Sequence, residues 1–217
     1  MKERPILFSA PMVRAILADT KTQTRRAVKP QPPAFGENGG PLLRVVETTL
    51  PHGNGFDAQH AQDNPRYIGC CPYGQPGDRL WVREAFMHEP ADYCWEASVS
   101  IPCRPAYTAY RADVDGDSRG AGWKPSIHMP RKLSRINLEI TAVRVERLQD
   151  ISEADAMAEG VTAGDGDFSG CYVCGPAMSG TTAKECYGRL WESINGRESW
   201  DANPWVWVIE FKQEIPS

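Results

Sequence analysis

Seven cysteines and four histidines are the side chains that metal binding or nucleophilic chemistry would draw on first. Cys171 and Cys174 form a C-x-x-C in a glycine-rich stretch. Zinc prefers four nitrogen or sulfur ligands, so a second pair would have to come from Cys70, Cys71, Cys94 or Cys103. No second C-x-x-C and no H-x3-H accompanies it, and the expectation is a loop with free thiols, no metal and no cofactor. His52, His60, His88 and His128 show no ligand spacing. Walker, G-x-G-x-x-G, H-E-x-x-H and G-x-S-x-G patterns are all missing, which argues against nucleotide-driven enzymes and metalloproteases. A different chemistry fits Trp81, Arg83 and Glu84. An indole can stack on a base, a guanidinium can hold a phosphate, and a carboxylate can accept from a cytosine or adenine amino group. The plainer reading is a core tryptophan with a local ion pair. Ser126 and His128 precede the basic run at Arg131 and form a candidate cleft wall, with His128 as an ordinary packed or surface histidine the simpler alternative.

The 24 Lys and Arg against 28 Asp and Glu give a net charge of −4, which excludes a wholesale polybasic nucleic-acid binder. That total hides an asymmetry. Residues 1–33 carry seven basic groups against two acids, and residues 124–147 carry six against two. Residues 150–217 carry twelve acids against four bases. If the two basic segments meet, they make a positive surface for phosphates; otherwise they are ordinary solvated charge. No run approaches the roughly 18 apolar residues of a membrane span. No hydrophobic signal core follows Met1-Lys2-Glu3-Arg4-Pro5, so the expectation is a cytoplasmic protein with reduced thiols and no membrane partner.

Positioning these residues requires a framework of short elements. Pro5–Phe8 reads as a strand. Ser9 can cap a helix with Pro11 in its first turn and Val13, Ile16 and Leu17 on one face, ending near Asp19–Lys21. Thr22–Lys29 reads as extended, stopped by Pro30. Residues 30–76 read as a long excursion with one strand at Leu42–Val46. Arg79–Glu84 alternates as a strand, and a further strand is expected at Ala106–Arg111. Ile136, Leu138 and Ile140, followed by Val143 and Val145, predict a long strand with a bulge near Ala142. Ser152–Asp155 is a capping box opening a helix over 153–159, stopped by Gly160. Thr182 opens a second through Tyr187, Leu190, Trp191 and Ile194, closed by Gly196. Trp205–Lys212 is apolar nearly throughout and should be central in its sheet. Strands separated by short helices predict an α+β fold, a small β-barrel decorated by loops.

Four segments in order carry a resemblance. Ile16-Leu17-Ala18-Asp19-Thr20-Lys21-Thr22-Gln23-Thr24-Arg25-Arg26 resembles the signature of ASCH domains, a branch of the PUA-like folds. Pro76–Val82, Ile151–Gly160 and Trp207–Lys212 follow in the expected order. With Pro125–Arg131 added, the pattern is similar to proteins of tailed bacteriophages and prophages. The resemblance covers the core of one domain over 1–217, with 30–75, 87–125 and 162–181 as insertions. It implies a PUA-like barrel with a cleft for RNA or a modified nucleobase or nucleoside beside Lys21, Thr24 and Glu159, with Arg25 and Arg26 as candidate ligand-binding residues.

One branch of that family, the 4-acetylcytidine amidohydrolases, removes an acetyl group from the exocyclic nitrogen, and its Lys, Thr and Glu correspond to Lys21, Thr24 and Glu159. The chemistry is coherent in itself. A threonine hydroxyl needs a base, a desolvated lysine can serve as one, and a carboxylate can position that amine or carry a proton to the leaving group. Three positions apart, Lys21 and Thr24 oppose each other on a regular strand, so Lys21 must lie on the preceding turn. Alternatively Lys21 contacts phosphate, Thr24 bonds its own backbone, and Glu159 pairs with Arg25 or Arg26.

Overall fold

The structure, a computed structural model, describes residues 1–32, 42–50, 53–60, 66–89, 92–94, 101–104, 106–114, 122–164, 171–175 and 178–214. Strand β1 (Glu3–Leu7) buries Ile6, and Pro11 lies in the first turn of α1 (Ala10–Leu17). Ser9 is extended as a capping residue should be, but its hydroxyl makes no cap bond. Val13 and Ile16 are buried; Leu17, expected beside them, is 43% exposed. The eight-residue helix turns only a narrow face inward, and Asp19 with φ of 54° breaks it before β2 (Gln23–Ala27).

The excursion after β2 holds more structure than expected. β3 (Leu42–Leu50), β4 (Gly53–His60) and β5 (Arg66–Gly69) form their own antiparallel sheet. β3 runs past the expected Leu42–Val46 through the β-branched Thr48 and Thr49 to Leu50. β4, Gly-Asn-Gly-Phe-Asp-Ala-Gln-His, has low strand propensity and is held by antiparallel pairing with β3. Next come β6 (Arg79–Arg83), β7 (Phe86–Glu89), β8 (Asp92–Cys94), β9 (Ile101–Arg104) and β10 (Tyr107–Tyr110). β11 (Asn137–Arg147) shifts register between Ile140 and Ala142, where the apolar phase changes. The Ser152 capping box opens α2 (Glu153–Ala158). β12 (Thr162–Ala163), β13 (Tyr172–Gly175) and β14 (Met178–Gly180) make a small sheet against α3 (Ala183–Asn195), and β15 (Trp205–Gln213) ends the fold.

The main sheet runs β1-β6-β11-β15-β2, parallel only between β1 and β6. β15 is internal and divides two cores. Trp207, Ile209 and Phe211 join Ile6, Leu80, Leu138 and Ile140 on one side. Val206 and Val208 join Ala156, Cys186, Tyr187 and Trp191 on the other. Strand alternation alone produces that division.

The fold is therefore mixed α+β, but the expected barrel is not closed among the described residues, because β1 and β2 share no ladder. Arg26 spans the seam instead: it donates to the Leu7 carbonyl at 2.6 Å and lies 5.4 Å from the Phe8 ring centre. No helix among the described residues is long and apolar enough to cross a membrane.

Candidate functional site

Lys21 occupies the turn, not the strand. Its N–H and that of Thr20 donate to the Ala15 carbonyl at the end of α1, and Lys21 forms an isolated antiparallel bridge with Glu159. Thr22 is stitched on both sides, donating to Ala158 and accepting from Phe211. Gly160 makes the close approach possible. It has φ of 98°, and a Cβ there would stand 3.1 Å from Ala15 Cβ and 3.4 Å from Lys21 Cβ.

The Lys21 side chain is wholly buried. Its ammonium donates to the Gln23 carbonyl (2.8 Å), the Glu159 carbonyl (2.9 Å) and Glu159 Oε2 (2.6 Å). Those three bonds use all its protons, and none reaches Thr24. Burial lowers the Lys21 pKa, and the Glu159 carboxylate only partly opposes that.

Pairing with β15 sorts the next residues by face. Thr24 and Arg26 lie opposite Ile209 and Trp207, on the inner side, while Gln23 and Arg25 lie opposite Glu210 and Val208, toward α2 and α3. The fully buried Arg25 guanidinium meets three carboxylates: Glu146 at 3.4 Å, Asp155 at 3.4 Å and Glu159 at 3.6 Å. Its Nε and Nη1 nonetheless make no hydrogen bond. Tyr187 donates to Glu159 Oε1 at 3.4 Å, and burial raises its pKa well above 10.0. Arg144 completes the network through Glu146, Asp155 and Glu210. Lys21, Arg25 and Arg144 are thus set against Glu146, Asp155, Glu159 and Glu210, with Arg26 on the other face of β2.

Burial alone would raise the Asp155 pKa, but hydrogen bonds from Ser152 and the charges of Arg25 and Arg144 outweigh it and hold Asp155 below 3.8. Below that value the unfolded chain binds more protons, so stability present at neutral pH is lost as pH falls through 3.8 toward the folded pKa. Asp78, held down by the Lys2 N–H and Arg4 against its own burial, acts with the same sign. Thermal melting followed into acid should show this fall, and Asp155→Asn should flatten it. An acid limb of equal slope in the variant would remove Asp155 as its source.

A cavity of about 60 Å³ lies along β2, lined by Thr24, Arg25, Arg26, Glu159, Tyr187 and Trp191 among others. Beside it runs a larger groove of about 680 Å³ with apolar walls from Met12, Ala15, Val173, Met178, Leu190 and Ile194; both are bordered by Met12, Glu159, Leu190 and Ile194. Because Thr22 and Val28 bond β15, antiparallel alternation turns the backbone N–H and C=O of Arg25 and Ala27 toward the open edge. The Thr24 hydroxyl makes no hydrogen bond to any described residue, although Thr24 is only 3% exposed. Lys21, Thr24 and Glu159 are brought together, but as an ion pair beside an uncommitted hydroxyl.

The remaining candidates lie elsewhere, on and after β6, three strands from β2. Arg83 does not hold itself free for phosphate: it donates to the Met129 and Ile127 carbonyls. Trp81 carries the guanidiniums of Arg83 (5.4 Å) and Arg131 (5.8 Å) near its ring, and Arg131 is held by Glu3 and Asn137. Glu84 is 1% exposed with both carboxylate oxygens on Arg135, so it is closed to a base amino group; burial nevertheless raises its pKa against the pull of Arg135. Ser126 and His128 form one short helical turn without contact to the β2 cavity.

The two basic segments do meet, at Arg25 and Arg144, but interleaved with acids. Arg131, Arg135 and Arg144 all pair with carboxylates. Cys174 packs against Cys186, not Cys171, and among the described residues no three His, Cys, Asp or Glu side chains cluster as metal ligands. His52 and the side chains of His60, Cys94 and Cys103 lie outside the described residues. Gln23, Arg144, Asp155 and Tyr187 enter the site without any local sequence signal beyond the capping role of Asp155. Scanned against protein-family models, curated proteins and solved structures, the chain has no match in any of the three.

Proposed function

We propose that the chain is a PUA-like domain of the ASCH type that binds a modified nucleobase or nucleoside, free or within RNA, in the cavity at the open edge of β2. The observation that carries this reading is the set of uncommitted polar groups there. Thr24, Arg25 and Ala27 line one small cavity. The Thr24 hydroxyl and the outward backbone of Arg25 and Ala27 bond no neighbouring strand, and the buried Arg25 Nε and Nη1 make no hydrogen bond, although Nη1 stands 3.6 Å from Glu159. Buried donors without partners are costly and are normally satisfied by a ligand or water. Lys21, Arg25 and Arg144 already meet four carboxylates, so an uncharged carbonyl or ring nitrogen suits this cavity better than a phosphate. The flat edge of a base offers acceptors and donors in the alternation that an open strand edge presents. The sheet supports the fold reading, with five strands rolled until Arg26 bridges their edges.

Calorimetric titration with cytidine, 4-acetylcytidine and other modified nucleosides tests this directly. Binding should occur and should change little between low and high salt, since no phosphate is neutralised. A steep loss with salt would move the ligand contact to a phosphate, and failure to bind any nucleoside would overturn the reading.

The convergence of Lys21, Thr24 and Glu159 favours a second reading, the amidohydrolase. Transfer of the Lys21 ammonium proton to Glu159 would leave a neutral amine. Thr24 would then attack the acyl carbonyl and pass its proton to Lys21, and Glu159 would protonate the departing exocyclic amine. Water would hydrolyse the acyl-threonine ester to acetate, restoring the Thr24 hydroxyl. The lowered Lys21 pKa works in that direction. The bonding does not, because Lys21 must first exchange one of its three acceptors for Thr24. Acetate released from 4-acetylcytidine would establish this reading. Binding without release would leave a binding protein.

A further inference from the structure

Cys174 and Cys186 are brought sulfur to sulfur, at 2.7 Å, from β13 and α3. Neither is in a disulfide. The approach is built by the surrounding chain. Gly180 on β14 lets the small sheet close on α3, since a Cβ there would stand 2.8 Å from the Cys186 backbone nitrogen. Cys174 also faces the large groove, which opens to solvent, whereas Cys186 is fully buried behind it.

We propose that Cys174 and Cys186 are a redox modification site, a dithiol that a small-molecule disulfide entering the groove converts to an intramolecular disulfide. The Cys174 thiolate attacks one sulfur of the incoming disulfide and expels one thiolate, leaving a mixed disulfide on Cys174. The Cys186 thiolate then attacks the Cys174 sulfur and expels the second. The protein loses two hydrogens and two electrons, and the reagent gains them as two thiols. Order follows from position: Cys174 lines the groove, whereas Cys186 is fully buried with its sulfur between Cys174 and the Met178 carbonyl. Burial raises both thiol pKa values, so exchange is slow at neutral pH and quickens as pH rises and thiolate accumulates. The bond would fasten β13 to α3 one residue before Tyr187, whose hydroxyl reaches Glu159. It does not depend on the proposed ligand.

The probe is dithiodipyridine, an aromatic disulfide small enough for the groove, applied to the folded full-length chain, and the readouts are released pyridinethione and intact mass. At this site the wild type should release two thiones and retain no adduct. Denaturation with maleimide should then leave Cys174 and Cys186 unlabelled, and digestion should yield one cross-linked peptide pair. Cys186→Ser should release one thione and retain one pyridyl adduct on Cys174, with exposed Cys70 reacting alike in both proteins. The proposal is overturned if both cysteines remain open to maleimide after Cys70 is fully modified. It also fails if both keep separate adducts, or if the cross-link joins a different pair.

Discussion

Lys21→Met should cost the fold about 3–5 kcal/mol, the range for removing one partner of a buried ion pair. For a chain of this size that lowers the melting temperature by roughly 6–20 °C. Three losses coincide. The Glu159 carboxylate loses its closest cation, at 2.6 Å, and the Gln23 and Glu159 carbonyls lose their donor in a place water does not reach. Arg25, at 3.6 Å and turned toward three carboxylates, is a poor substitute. Burial already outweighs the pair's attraction for Lys21, so the charges are an expensive way to fill that space. The double variant Lys21→Met/Glu159→Leu should therefore be more stable than the sum of the single losses predicts. The exposed pair Arg189–Glu185 is the control, and Arg189→Ala should leave the melting temperature in place. A Lys21→Met protein that melts with the wild type would mean the pair is not formed in solution.

What the sequence makes legible follows the range of the forces involved. The β11 bulge, the Ser152 capping box and the placement of Lys21 on a turn are local, decided within a few residues by alternation, capping and the break at Asp19. β4 is not legible, because pairing rather than residue type makes it a strand. The charge asymmetry is visible along the chain, but its cancellation is tertiary: Glu146, Asp155 and Glu210 are up to 64 residues apart and meet only around Arg25 and Arg144. Cysteine spacing likewise directs attention to Cys171 and Cys174, while folding puts Cys174 against a residue twelve positions on. Lys21, Thr24 and Glu159 were accessible only through a resemblance. Arg25, which meets three carboxylates and lines the cavity, differs in nothing local from Arg26 beside it. Strand alternation sends one toward α2 and α3 and the other to the seam.

Thr24→Val and Arg25→Lys should separate ligand recognition from folding. Valine keeps the shape of threonine and removes a hydroxyl that bonds no described residue, so the melting temperature should hold. Nucleoside affinity should drop by roughly 2- to 10-fold, the worth of one neutral hydrogen bond. Arg25→Lys keeps a positive charge among Glu146, Asp155 and Glu159, so the chain should still fold. The planar fork is lost, however, and with it the Nε and Nη1 donors that make no hydrogen bond within the protein, on a residue that lines the cavity. Affinity should then fall by roughly 10- to 150-fold, the range for a hydrogen bond from a charged donor. Cytidine analogues lacking the ring carbonyl should lose affinity for the wild type but change little for Arg25→Lys, because the two deletions remove the same bond. Equal affinity of wild type and both variants would place the ligand elsewhere. Should the wild type release acetate from 4-acetylcytidine, Thr24→Val divides the outcomes further. Loss of turnover with binding retained makes Thr24 the nucleophile, whereas turnover that persists assigns the attack to water.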